Sequence, residues 1–220
     1  IVTCLEHPYP AFMGLNLMYE TRLSLAKHSS PYDHPAGVRI WDEKSCPLEG
    51  QVADLADRIA YNCHDLEDGQ KARLIDREDL QQLVIFARAQ AQVKADSIDD
   101  WTIRRTRTSK AIINRLVGDC IETSCAAIDR VGVKTLGDVL GQAEGLIRLS
   151  AECDTELVAL ERFLLKHFYH HPRLLETAQQ VEQWLSQLFS AICDDPTLMP
   201  SYFQGFIQSH GLERAVADYI

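Results

Sequence analysis

The stretch EGQVADLADRIAYNCHDLEDG, Glu49 to Gly69, constrains the fold of this chain more than any other. On a wheel of about 100° per residue, Val52, Leu55, Ala56, Ile59, Cys63 and Leu66 gather into one apolar stripe. That is the mark of a helix lying on a core. The opposite side carries Asp54, Asp57, Tyr61, His64, Asp65 and Asp68. An acid-rich helical face is ordinarily a solvated surface, but this one is built at a cost. Aspartate is a poorer helix former than glutamate, yet it stands here in mid-helix four times. The pairs 54/57 and 65/68 also set like charges at helical-neighbour spacing, which destabilises unless a cation lies between them. Only Arg58 stands nearby. Such a helix is a candidate for holding a metal ion or a polar ligand.

The rest of the chain also reads as helical, so the expected fold class is all-α. At 220 residues with 46% apolar content it can bury a real core. No strand pattern, internal repeat or low-complexity segment appears. Pro8 and Pro10 break the approach to a helix that Asn16 could cap and that runs to about His28. Residues 29 to 46, with Pro31, Pro35 and Gly37, read as a loop. Pro47 suits the first turn of the central helix, and Gly69 its end. Asp76 and Asp79 resemble a capping arrangement for a helix through about Val93. From Asp99 to about Arg130, Ile103, Ile112, Ile113, Leu116, Val117, Cys120 and Ile121 recur at helical spacings. A turn-rich connector from Val131 to Gly145 leads to a helix from about Ser150 to Tyr169. Leu174, Leu175, Val181, Trp184, Leu185, Leu188 and Ile192 then mark a packing helix. IVTCLE and GLERAVADYI read as helices cut at the two chain ends.

Several function classes are disfavoured. A net charge of −10 argues against a protein that coats nucleic acid, which needs clustered Lys and Arg. Seven cysteines, odd in number and without a CxxC pair, indicate neither a disulfide framework nor a zinc ribbon. Reduced thiols in a cytoplasmic protein are the simplest reading. No signal peptide is recognisable and no apolar run of about 18 residues occurs, so no membrane partner is expected. Arg104, Arg105, Arg107, Lys110 and Arg115 make a basic helical half that is either a solvated face or a phosphate clamp. Tandem His170-His171 has no carboxylate at ligand spacing and is not read as a metal site.

Two long phrases carry a resemblance. LADRIAYNCHDLEDG resembles the segment bearing the last metal-binding aspartate of the HD-superfamily deoxynucleoside triphosphate triphosphohydrolases, the dGTPase-like enzymes. The family shows an aspartate with a charged neighbour, a tyrosine four residues on and an aspartate four beyond, here Asp57, Arg58, Tyr61 and Asp65. Spacings of four separate Asp57, Tyr61 and Asp65 by a rise of about 6 Å each along one side of a helix. Tyr9-Pro10, Gly14 to Leu17, Tyr19-Glu20 and Lys27-His28 match a second family phrase, and Tyr169, His171, Pro172 and Arg173 a third. KAIINRLVGDCIETS is also similar, except that Lys110 and Ala111 stand where the family usually has two arginines. Which of Arg104, Arg105, Arg107 and Lys110 meets phosphate therefore stays open.

The resemblance implies an HD-domain-like multi-helix bundle, incomplete at both ends. Residues 1–130 would be the C-terminal part of the catalytic core, and 131–220 a helical region packing on it. It implies hydrolysis of a dNTP to deoxynucleoside and triphosphate with a divalent cofactor such as Mn²⁺ or Mg²⁺, which activates water, polarises the α-phosphate, or both. Asp57 would be a metal ligand, Arg58 would face a phosphate, and Tyr61 and Asp65 would contact the sugar. The family's earlier histidine and His-Asp ligands are not in this sequence. His64-Asp65 lies on the wrong helix to replace them, and His7, His28 and His34 stand at no recognisable metal spacing. Little activity is thus expected of this chain alone. The family also forms homo-oligomers. Two competing readings are a helical interaction module whose acidic helix binds a basic partner, and an HD phosphohydrolase acting on another phosphoester.

Overall fold

A computed structural model describes residues 1–28 and 42–220. Most of the expected loop at 29–46, and His34 with it, lies outside the described residues. The helices are α1 (Tyr19–Lys27), α2 (Leu48–Lys71), α3 (Arg77–Leu80), α4 (Val84–Gln92), α5 (Trp101–Val131), α6 (Leu136–Leu140), α7 (Ala151–Leu164), α8 (Pro172–Asp194), α9 (Ser201–Gln204), α10 (Ile207–His210) and α11 (Leu212–Tyr219). No strand occurs among the described residues, and the architecture is the expected all-α, HD-like bundle. None of the described helices is long and apolar enough to cross a membrane.

By contacts the described chain falls into two compact units, residues 18–171 and residues 1–17 with 172–220. This division is drawn on packing and falls at a different place from the functional division expected at residue 130. In the larger unit α2 packs on α5, α7 and α1, and α4 packs on α5 and α7. Ile59, Cys63 and Leu66 of α2 meet Ile85 and Phe86 of α4, Ile112 and Leu116 of α5, and Leu157, Leu160 and Leu164 of α7 in one apolar core. Each fully buried Leu, Ile or Phe there contributes about 1.5–3 kcal/mol relative to exposure.

The long helices have identifiable ends. Asp100 caps α5 by accepting from the Ile103 amide at 2.9 Å, and Gly132, at φ +71°, closes it with bonds to Ile128 and Asp129 carbonyls. Ser150 caps α7 through the Cys153 amide. Asp119 of α5 in turn accepts from the Ser150 amide at 2.8 Å and its hydroxyl at 2.7 Å, tying the two helices together. Buried Gln51 fixes the start of α2. Its amide nitrogen donates to the Cys46 carbonyl at 2.9 Å, and its oxygen accepts from the Leu146 and Ile147 amides at 2.7 and 3.1 Å.

Several boundaries differ from expectation. The first helix starts at Tyr19 with Met18 at the N-cap, so Asn16 is not its cap. Gly69 lies inside α2, buried, because a Cβ there would come within 2.4 Å of Ile75 Cδ1. The single helix expected from Asp76 to Val93 is broken between Leu80 and Val84. The connector after Val131 contains α6, opened by a Thr135/Asp138 capping box. The stripe on α2 is also narrower than its wheel, since Val52 is 49% exposed. In the smaller unit Ile192, Met199 and Val216 form the core. Of the apolar residues expected to pack on α8, only Ile192 is buried, while Val181, Trp184, Leu185 and Leu188 are exposed.

Candidate functional site

The polar face of α2 divides into three neighbourhoods. At its N-terminal end Asp57, exposed, lines a cavity of about 850 Å³ together with Asp54, Ser24 and His28. Asp54 Oδ1 lies 2.6 Å from His28 Nδ1. One helical step on, Arg58 turns to α7. Its Nε donates to Glu161 Oε1 at 2.7 Å, one terminal nitrogen to Glu161 Oε2 at 3.1 Å, and the other to Asp154 Oδ1 at 2.9 Å. The Glu161 bond, against the effect of burial, raises the Arg58 pKa above its ordinary value. Buried Asn62 completes the cluster, donating to the Arg58 carbonyl at 2.7 Å and to Glu161 at 3.3 Å.

The third neighbourhood joins Tyr61 and Asp65 to Tyr169. After α7 the chain widens into a π-helical turn, Leu165–Tyr169, in which the His170 amide reaches back five residues to the Leu165 carbonyl at 3.2 Å. From this turn the Tyr169 hydroxyl donates to Asp65 Oδ2. Burial first, then Asp65 and Tyr61, push the Tyr169 pKa far above the ordinary phenol value, so the proton stays on the phenol as a donor. Tyr61 is 54% exposed, and its ring lies nearly parallel to that of Tyr169, with centroids 6.3 Å apart and planes at 22°. Asp65 Oδ1 carries no hydrogen bond from any described residue. The arrangement offers an oriented carboxylate acceptor beside an exposed aromatic face, which suits a hydroxylated ring such as a sugar.

The basic half of α5 is mostly committed. Arg105 donates to Glu67 at 3.2 Å and lies 4.6 Å over the Trp101 ring. Arg104 donates to the Ile98 and Asp99 carbonyls. Arg115 joins Arg88 on the carboxylates of Glu152 and Glu156. Arg107 and Lys110 are exposed and carry no ion pair with a described residue.

Among the described residues no cluster of three His, Cys, Asp or Glu side chains could hold a metal ion. His28 is paired with Asp54, and His7 stacks on Tyr202 in the other unit. A divalent ion needs several ligands in fixed geometry, so these described residues do not make a metal site by themselves. The residue whose part in the site the sequence left unassigned is Tyr169; the signal for it was the Tyr-x-His-Pro-Arg phrase.

Known proteins match this chain over its whole length. The phosphohydrolase-associated domain family matches residues 147–220. The deoxyguanosinetriphosphate triphosphohydrolase-like protein of Geobacter sulfurreducens is 34% identical over 226 aligned residues, covering all of this chain and 58% of the relative. The proteins of the same description from Thiobacillus denitrificans and Caulobacter vibrioides are 37% and 31% identical, again over the whole chain and about 60% of their own lengths. The chain thus spans somewhat over half the length of the curated relatives it matches.

Proposed function

We propose that this chain, which is similar over its whole length to dGTPase-like proteins of the HD superfamily, supplies part of the site of a deoxynucleoside triphosphate triphosphohydrolase, which converts a dNTP and water to deoxynucleoside and triphosphate. The observation that carries this reading is the row Asp57, Tyr61 and Asp65 on α2, with Tyr169 donating to Asp65. Asp65, held by the Tyr169 hydroxyl, accepts the 3′-hydroxyl of the sugar through its open oxygen. Tyr61 supplies the wall that crowds the 2′-position and favours deoxyribose. Asp57 is the carboxylate this chain offers toward the divalent ion that the family's chemistry implies; the remaining ligands come from outside this chain. Arg58 acts as a positioning residue that holds the helix on α7, and Arg107 and Lys110 are the basic side chains left open for phosphate. The reading also carries a cytoplasmic setting and self-association, the latter tested by sedimentation velocity.

Triphosphate release from each dNTP, with Mn²⁺ or Mg²⁺, is measured for this chain and for a full-length relative such as the Geobacter sulfurreducens protein. Release by the relative, abolished when the aspartate aligned with Asp57 becomes alanine, is the expected result, with little or none from this chain alone. No release by either protein would overturn the assignment.

A further inference from the structure

Gly69 stands inside α2 with no backbone reason for being glycine. Among the described glycines a positive φ occurs at Gly14, Gly132 and Gly211, and Gly69 is not one of them. Within a helix glycine is less favourable than alanine, because it loses more backbone freedom on folding. What the position uses is the missing Cβ. One added there would stand 2.4 Å from Ile75 Cδ1, 3.0 Å from Ile75 Cγ1 and 3.2 Å from Phe168 Cδ2. At Gly118, in the middle of α5, an added Cβ meets nothing within 4 Å, so close packing is particular to the site and not general to helical glycines in this chain.

Phe168 belongs to the π turn and is followed at once by Tyr169. Gly69 follows Asp65 by four residues, one turn along the same side of α2. Two consecutive residues of the π turn therefore meet two consecutive turns of α2, Phe168 at Gly69 and Tyr169, through its hydroxyl, at Asp65. One residue earlier, His167 stacks on Phe163 with ring centroids 4.4 Å apart, and its Nδ1 lies 3.4 Å from Asp79 Oδ2. Both members of that pair are partly open to water, so it is a weak tether. A close-packed contact leaves less room than such a tether, and the depth at which Phe168 seats on Gly69 thus sets where the Tyr169 phenol arrives.

We propose that Gly69 is a positioning residue for the Asp65–Tyr169 pair: the notch left by its absent Cβ sets the depth of the π turn on α2 and holds the phenol within reach of Asp65. For its effect on nucleotide the inference rests on the reading of Asp65 as the sugar acceptor; for its effect on the phenol it rests on packing alone. A Cβ at 3.2 Å from the Phe168 ring obliges the ring to give by a few tenths of an ångström. Tyr169 is the next residue, and a hydrogen bond weakens steeply as its donor is drawn away or tilted.

The test combines Gly69→Ala with Ile75→Val, which removes Cδ1 from the tightest contact and leaves the push on Phe168. Proton NMR of the 220-residue chain follows the Tyr169 hydroxyl proton, assigned by its absence in Tyr169→Phe. In the double variant its exchange with water is expected to quicken on the order of tenfold, the scale of one lost hydrogen bond, while Ile75→Val alone and Gly118→Ala leave it in place. In a full-length relative with glycine at the aligned position, the double change is expected to raise the KM for dNTP several-fold. It should raise it no further once the aligned tyrosine is phenylalanine, because a residue that acts through the phenol then has nothing left to move. An unchanged hydroxyl proton in the double variant, or none in the parent chain for Tyr169→Phe to remove, overturns the proposal. So does a KM rise of the same size with and without the aligned phenol, the mark of a merely structural defect. Quickened exchange in this chain, with no triphosphate release from the unaltered relative, supports the positioning role and removes the hydrolase reading instead.

Discussion

Replacing Arg58 by alanine separates two roles for one side chain. The guanidinium is 31% exposed, Glu161 19% and Asp154 51%. A hydrogen bond to a charged partner contributes about 1.5–3 kcal/mol when sheltered, and this applies to the two-pronged contact with Glu161. The half-exposed Asp154 pair adds no more than about 1 kcal/mol. After truncation Glu161 keeps only the longer bond from Asn62 at 3.3 Å, so part of its desolvation is left uncompensated. The loss for Arg58→Ala is therefore about 2–3 kcal/mol. Arg58→Lys keeps the charge but not the fork, and should cost about 1 kcal/mol. Urea unfolding of both variants, with Glu161→Gln completing a double-mutant cycle, measures this, and a coupling energy of about 1–2 kcal/mol is expected. If Arg58→Ala unfolds within about 0.5 kcal/mol of the parent, while the matching change in a full-length relative abolishes dNTP binding, the strut interpretation is refuted and Arg58 belongs to the ligand.

Gln51→Ala should cost about 2–4 kcal/mol by chemical denaturation, because it strands the Leu146 and Ile147 amides as well as removing a buried amide. Tyr169→Phe removes the only described donor to Asp65; in a full-length relative the corresponding change should weaken dNTP binding several-fold while shifting stability by no more than about 1 kcal/mol, read by KM and by melting. Burial pushes the Asp119 carboxyl up, but bonds from the Ser150 hydroxyl and amide outweigh it and hold the group below the usual carboxylate range. Its stabilisation is complete above the unfolded value near 3.8 and disappears as the pH falls through the lower folded value, so Asp119→Asn should flatten that acid limb of a stability–pH curve.

What the sequence made legible follows from where the forces are local. The span of α5 is readable because Asp100 and Gly132 are self-contained end signals and its apolar residues keep one period. The break between α3 and α4 is not, although its cause lies in the residues. Leu80, Leu83, Ile85, Phe86 and Ala89 are all buried, and at about 100° per residue they would point around most of a straight helix. Only a change of direction lets one core receive them all. On α2 the acid-rich face was visible, but not what meets it, since Arg58 and Asp65 find partners 103 and 104 residues away. Gln51, Gly50 and Gly69 are buried for reasons of fit that no hydropathy pattern encodes.

The π turn at Leu165–Tyr169 has an implication for how such a site changes between proteins. One additional residue in a helical turn rotates all that follows by about 100° and advances it by about 1.5 Å. Whether the phenol of Tyr169 arrives at Asp65 is therefore decided by counting residues from the cap at Ser150, and not only by which residues they are. Substitutions along α7 can accumulate without moving the hydroxyl, and the wide π turn takes up its own extra residue, but inserting or deleting a single residue in the regular part of α7 would swing the ring away. Two relatives that differ there by a one-residue gap would share nearly every side chain and still present different sites.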